Sequence, residues 1–173
     1  MKSVLPTKDE LVWYAGYGSN LSAERFKYYI LGGYFNLNNQ DYQGCTDKTL
    51  WRDTVWNVFS GEMYFGNKSK AWNRKGVCFF DPNGPGKTIM RMYKITFGQL
   101  LEIQKQEGAT LRWYEKLIKL GTWQDGCEIY TFTSKKHRPL NKPDEKYFEV
   151  IKKALIEECG LSAVDVEKYL KNK

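Results

Sequence analysis

Apolar positions alternate with polar ones over most of the middle of the chain, and a helical period appears only in short stretches between them. Leu11 to Tyr14 is a continuous apolar run, and residues 11–17 are predicted as a buried strand. Ser22 is placed to cap a short helix running to about Ile30, which Gly32-Gly33 closes. Residues 34–50, rich in Asn, Gln, Asp and Gly with aromatics inserted, predict a long loop. Alternation over Thr54–Phe59 and Glu62–Phe65 predicts strands around a Ser60-Gly61 turn. Gly76–Phe80 and Ile89–Ile95 flank the Pro82-Asn-Gly-Pro-Gly86 break and read as a hairpin. Thr96 and Gln99 have capping-box spacing, opening a helix that reaches Glu107 and stops at Gly108. Two further strands, Tyr114–Leu120 and Cys127–Thr133, surround Gly121 and Asp125-Gly126. After a basic loop, Asp144 caps a helix running to Cys159 and stopped by Gly160, and Ser162 opens a last short helix.

Strands in the middle with dispersed helices predict an α+β fold: a curled, mainly antiparallel sheet or small β-barrel flanked by helices. With 173 residues and no internal repeat or long linker, the expected organisation is a single domain over 1–173. Its core spans about 11–160, followed by a C-terminal helical tail at 161–173.

Composition adds three constraints. Twelve Tyr, nine Phe and six Trp exceed what a core of this size needs, so some are expected to line a cleft or a surface patch. The four cysteines are scattered without Cys-x-x-Cys spacing and His137 is the sole histidine, so no metal site and no cofactor are expected, and the thiols are read as reduced and mostly buried. No apolar run approaches the ~20 residues that cross a bilayer, and Met1–Lys8 lacks the apolar core of a secretory signal; a cytoplasmic protein with no membrane partner is expected. The net charge of +7 suits small anionic ligands as well as nucleic acid.

Candidate chemistry begins where the first strand ends, at Tyr14-Ala-Gly-Tyr-Gly-Ser-Asn-Leu21. Two glycines between a strand and a helix start allow backbone N–H groups to converge on an anion-sized concavity. Three familiar motifs are not met. Gly16-Tyr-Gly18 lacks the third glycine of a dinucleotide fingerprint, because Leu21 stands there. Gly86-Lys87-Thr88 lacks the first glycine of a P-loop, because Asp81 stands there. Ser19 is not in a nucleophile elbow, because Tyr17 takes the first glycine position. Glu107, in the last turn of its helix, faces the negative end of the helix dipole, which disfavours ionisation and suits proton transfer near neutral pH.

Together these segments resemble the γ-glutamylcyclotransferase family. Tyr17-Gly-Ser-Asn-Leu21 is similar to that family's substrate loop, and Glu24-Arg25 fits its animal members. Phe65-Gly-Asn67 is similar to the end of a central strand, and Gln106-Glu107-Gly108 to the segment carrying the catalytic glutamate. Tyr114 matches a pocket tyrosine, while Pro143 and Tyr147 match a proline and tyrosine of the covering loop. The resemblance implies a lyase that cyclises the γ-glutamyl group of a small γ-glutamyl amino acid, peptide or amine to 5-oxoproline without metal or cofactor. Glu107 would be the catalytic acid/base. Tyr17, Gly18, Ser19, Asn20, Leu21, Tyr114 and Tyr147 would bind substrate, in a monomer or homodimer. Two departures stand out. The segment ahead of Phe65 is long, which is expected to reshape the pocket mouth. Met90-Arg91 lies where the family has a glycine ahead of an aromatic, here Tyr93, and is expected to alter packing beneath Glu107. The alternative reading is a non-catalytic ligand- or RNA-binding protein on the same fold. Four cations and Trp72 in Asn67–Lys75 would then grip a phosphate backbone and stack a base.

Overall fold

The computed structural model describes residues 4–108 and 112–173. Its main sheet has five strands: β1 (Leu11–Gly16), β4 (Thr54–Ser60), β7 (Lys87–Thr96), β8 (Lys116–Thr122) and β9 (Glu128–Thr133), in the spatial order β4-β7-β1-β9-β8. β1 is central, antiparallel to β7 with Leu11 opposite Thr96 and Gly16 opposite Arg91, and parallel to β9. A central strand is covered on both faces, which is why its sequence is an unbroken apolar run rather than an alternation. On one face Tyr14 stacks on Phe26 and Phe132, with ring centroids 5.3 and 5.1 Å apart. On the other, the Trp13 indole donates to Asp125 at 3.0 Å.

The sheet is open, with β4 and β8 as its edges, so the described residues form a curled sheet and not a closed barrel. Two small antiparallel ribbons stand apart from it: β2 (Gly33–Phe35) with β3 (Gln40–Tyr42), and β5 (Glu62–Ser69) with β6 (Lys75–Asp81). The first lies inside the segment expected to be a loop. The second overturns two expected turns. β4 and β5 are consecutive but pair in different sheets, and the same holds for β6 and β7. Ser60-Gly61 and Pro82–Gly86 therefore pass the chain from one sheet to the other and back. Every residue from Gly76 to Phe80 is buried, so β6 carries no polar alternation to reveal its neighbour. Gly61 sits at φ +119°, and a Cβ there would come within 2.4 Å of the Phe80 ring. Thr88 fastens the crossing by accepting from the Met63 N–H at 2.9 Å and donating to the Gly61 carbonyl at 3.0 Å.

The helices begin where their capping residues predict. The Ser22 hydroxyl accepts from the Arg25 N–H at the start of α1 (Ala23–Leu31). Thr96 and Gln99 form the full capping box of α2 (Phe97–Gln106), each side chain accepting the other's N–H at 3.1 Å. The Gln99 amide also donates to the Asp47 and Thr49 carbonyls, which fixes the loop beside it. Asp144 caps α3 (Glu145–Lys153), whose end widens into a π turn, Ala154–Glu158, rather than continuing as α-helix to Cys159. Ser162 caps α4 (Ala163–Leu170). Among the described residues no helix is long and apolar enough to cross a membrane.

Candidate active site

β1 delivers its C-terminal end to a 3₁₀ turn, Gly18–Leu21, and α2 delivers Glu107 as its C-terminal cap, followed by Gly108 at φ +91°. These two ends meet through side chains. The Asn20 amide donates to Glu107 Oε1 at 2.7 Å and to the Tyr14 hydroxyl at 3.0 Å. Tyr93 holds the other side of Asn20 by donating to its carbonyl at 2.7 Å. Asn20 Oδ1 is buried and has no hydrogen-bond partner. Gln106 anchors the helix end: its amide nitrogen donates to the Tyr29 carbonyl at 2.8 Å and its oxygen accepts from the Gly44 N–H at 3.1 Å.

Glu107 opens onto a cavity of about 350 Å³ and is half-buried there. Removal of water from its carboxylate raises its pKa above the ordinary value. The positive charge of Arg25 and hydrogen bonding from Asn20 and Tyr29 oppose that rise without cancelling it. The Glu107 shift is upward, the direction expected, and its first cause is burial.

Tyr114 and Tyr147 line the same cavity and are both buried. They meet at one residue of β6, Cys78. Tyr114 donates to the Cys78 carbonyl at 2.8 Å, and Tyr147 accepts from the Cys78 N–H at 3.0 Å. These hydroxyls close the edge of β6 that does not face β5. Burial pushes the Cys78 thiol up to about 12, and Cys45 likewise, so both are protonated at neutral pH.

Gly18 lies against this arrangement at φ +68°. A Cβ on it would meet Cys78 Cβ at 2.7 Å and the Tyr147 hydroxyl at 2.9 Å. The loop is thus pressed onto the tyrosine end of the cavity by a contact that only glycine permits. Tyr17, expected as a cavity wall, turns into the core instead and donates to the Phe132 carbonyl at 2.8 Å. Ser19 is half-buried in the turn and Leu21 is fully buried; none of Gly18, Ser19, Asn20 and Leu21 lines the cavity, and the turn meets it through the Asn20–Glu107 hydrogen bond.

Pro143 bridges to Gly76 rather than lining the cavity. Trp72, the base-stacking candidate of Asn67–Lys75, is buried, 5.0 Å from the Tyr147 ring in an edge-on contact, and forms part of the cavity wall. Arg91, part of the Met90-Arg91 departure expected to alter packing beneath Glu107, reaches the 3₁₀ turn: its guanidinium donates to the Leu21 carbonyl at 3.3 Å and to Thr54 at 3.0 Å, and pairs with Glu158. Because Glu158 also accepts from the Ala23 N–H, Arg91 braces the junction between the 3₁₀ turn and α1.

The sequence reading did not single out Tyr29 or Gln106 for the site, and placed Arg25 only by resemblance. All three line the cavity. Arg25 carries its guanidinium over the rings of Tyr29, Phe35 and Tyr42 at 4.4 to 4.9 Å. The one signal available for it was a cation on a short helix dense in aromatics.

No family model matches the chain. Among curated proteins it is 29% identical over 199 residues to "Histone deacetylase 5" of Arabidopsis thaliana, an alignment covering 92% of this chain. The chain spans only 30% of the length of that relative. Among solved structures it resembles one described as "Gamma-glutamyl cyclotransferase" (TM-score 0.65, 20% identity, 92% of this chain and 86% of that one). It also resembles an uncharacterized protein from Homo sapiens (TM-score 0.66, 21% identity, 92% and 86%). A third is YkqA from Bacillus subtilis (TM-score 0.65, 18% identity), which it covers over 54% of that chain and 94% of its own. The chain has the γ-glutamylcyclotransferase-like fold.

Proposed function

We propose that the protein is a γ-glutamylcyclotransferase-type lyase, releasing 5-oxoproline and an amine from a small γ-glutamyl substrate. The observation that carries this reading is the Asn20–Glu107 hydrogen bond, which sets one enclosed carboxylate beside the glycine-containing turn at the wall of a cavity large enough for a dipeptide.

The reaction begins with proton transfer from the substrate α-ammonium to Glu107. The freed amine attacks the γ-carbonyl carbon, forming the C–N bond of a five-membered ring and placing charge on the carbonyl oxygen. Glu107 returns its proton to the leaving nitrogen and the original C–N bond breaks; the carboxylate then takes the second proton of the ring nitrogen, leaving a neutral lactam, and passes it to the departing amine. The Gly18 and Ser19 N–H groups stand at the start of the 3₁₀ turn, where backbone donors have no partner within the turn. Neither residue lines the cavity, so they serve as donors to a substrate oxygen that reaches past Glu107 to the turn, each worth about 3–4 kcal/mol when well aimed at an oxyanion. Asn20 Oδ1, lacking a partner, is an acceptor for the α-ammonium. Tyr114 and Tyr147 wall the glutamyl end and hold the folded-back substrate conformation that cyclisation requires.

The test is direct. The purified chain is incubated with a panel of γ-glutamyl amino acids and γ-glutamyl amines, and 5-oxoproline is assayed. Product from at least one member is expected; none from any member at high protein concentration overturns the reading.

A further inference from the structure

The positive charge of the molecule is gathered on one surface. Residues 67–75 and 135–142 carry eight lysines and arginines and no acidic residue, in a chain whose net charge is +7. The fold brings these two distant segments together. Residues 67–75 form the turn end of the β5–β6 ribbon, and the loop 135–142 is stitched along it. The Asn67 N–H donates to the Pro139 carbonyl and the Gly76 N–H to the Lys142 carbonyl, both at 2.8 Å. The Asn141 amide closes the seam by donating to the Asn67 and Arg74 carbonyls at 2.8 and 3.1 Å. All the cations but Arg138 are exposed, and none forms an ion pair among the described residues. The bordering carboxylates have other partners: Asp144 accepts from the Asn73 amide at 2.8 Å, and Glu115 from the Lys135 N–H at 3.4 Å. Like charges collected on one surface repel, and an anionic partner relieves that repulsion.

An aromatic platform stands on the same surface. His137 is exposed and stacks on Tyr64, with ring centroids 4.2 Å apart and planes 7° from parallel. Tyr64 is buried, and its hydroxyl accepts from the Arg138 N–H at 2.9 Å. One face of the imidazole is therefore backed by a fixed ring while the other is open. His137 lines a cleft of about 470 Å³ together with Leu140 and Lys142, and Leu140 is 74% exposed although apolar. Glu62, the carboxylate of that cleft, pairs with Lys173 at 3.8 Å. Cations beside an open ring face suit a nucleotide strand, whose phosphates take the lysines and whose bases take the ring. An anionic lipid surface uses the cations and leaves the ring idle.

We infer that this surface binds single-stranded nucleic acid, residues 67–75 and 135–142 tracking the phosphate backbone and His137 stacking a base. The stacking role expected of Trp72 passes to His137, because Trp72 is buried in the wall of the Glu107 cavity. The two sites are separate: none of these cations lines that cavity.

The test measures, by fluorescence anisotropy, the binding of a labelled oligouridylate of about twenty nucleotides to the full chain. Affinity is expected to fall with salt, the slope of log K against log salt being about −3 to −5, as for about four to seven neutralised phosphates. Lys68→Gln combined with Lys142→Gln is expected to weaken binding about tenfold and to reduce that slope by about 1.4. His137→Ala is expected to weaken binding about fivefold to a hundredfold with the slope unchanged, and His137→Phe to retain it. Removing the same charge from the end of α4, in Lys168→Gln with Lys171→Gln, is expected to cost less than about threefold. An equal loss in that control overturns the inference, because net charge alone then accounts for binding. Absence of binding at about 50 mM salt overturns it, as does a duplex of the same length bound as tightly as the single strand. Phosphatidylserine vesicles bound in place of the oligonucleotide also overturn it and assign the surface to a membrane. 5-Oxoproline formation is expected to be unchanged in every one of these variants, so this inference and the proposed function can each fail alone.

Discussion

Asn20 holds Glu107: its amide donates 2.7 Å to the Glu107 carboxylate and 3.0 Å to Tyr14, so both of its protons are committed. The first bond joins the end of the 3₁₀ turn to the end of α2, elements 87 residues apart in sequence. It orients the carboxylate toward the cavity and stabilises its ionised form.

Asn20→Ala removes that donor and is expected to lower kcat/KM by about tenfold to a hundredfold. Because the lost hydrogen bond favoured the ionised form, the acid limb of the pH profile should also move to higher pH. A loss of rate with an unmoved acid limb would show that Asn20 acts on substrate and not on Glu107.

The raised pKa of Glu107 has a consequence for stability. A carboxylate that binds its proton more tightly when folded than when unfolded contributes stability below its ordinary pKa, and loses that contribution as pH rises through the folded value. Facing it are Arg25 and Tyr29 from α1 and Asn20 from the 3₁₀ turn, and the rise is the net result of burial over their opposing effects. Glu107→Gln, which cannot ionise, is therefore expected to melt at a higher temperature than the unaltered chain at pH 7. The difference should shrink as pH falls toward 4. Calorimetric melting of both proteins over that range checks the sign.

Gly18→Ala forces a side chain into a left-handed backbone position and against Cys78 and the Tyr147 hydroxyl. The expected loss is about 1–3 kcal/mol, read as a lowered urea midpoint with an unchanged slope.

Arg91 and Glu158 link β7 to the π turn behind the Leu21 carbonyl. A double-mutant cycle of Arg91→Ala and Glu158→Ala should give a coupling of about 1 kcal/mol, above the usual value for fully exposed pairs because Arg91 is largely buried. Additive losses would show that the bracing runs through the Arg91–Leu21 and Arg91–Thr54 contacts alone.

Local chemistry made much of the fold legible. Ser22, Thr96 with Gln99, Asp144 and Ser162 each cap the helix expected of them, because a capping hydroxyl or carboxylate acts within a few residues. Strand partners were legible for β8 and β9, which pair around Gly121 and Asp125-Gly126 as expected, but not for β4 to β7. Consecutive alternating strands suggest the hairpins β4–β5 and β6–β7, yet β4 pairs with β7 and β5 with β6, and nothing in the all-buried run Gly76–Phe80 distinguishes one partner from another. The site divides in the same way. Glu107, Tyr114 and Tyr147 line the cavity, but Tyr17 turns to the Phe132 carbonyl, since alternation beyond the end of β1 does not say which way a tyrosine points. Arg25 was the least legible, because the rings of Phe35 and Tyr42 that cover its guanidinium come from a ribbon that the sequence presents as a loop.

The central claim is that Glu107 moves the proton in cyclisation. Its most direct test measures 5-oxoproline formation and substrate affinity side by side in Glu107→Gln, on whichever γ-glutamyl compound the unaltered chain turns over. The account predicts that kcat falls about 10²–10⁴-fold while affinity changes little, because glutamine keeps the shape and the Asn20 hydrogen bond but accepts no proton. Turnover within a few-fold of the unaltered chain would contradict it.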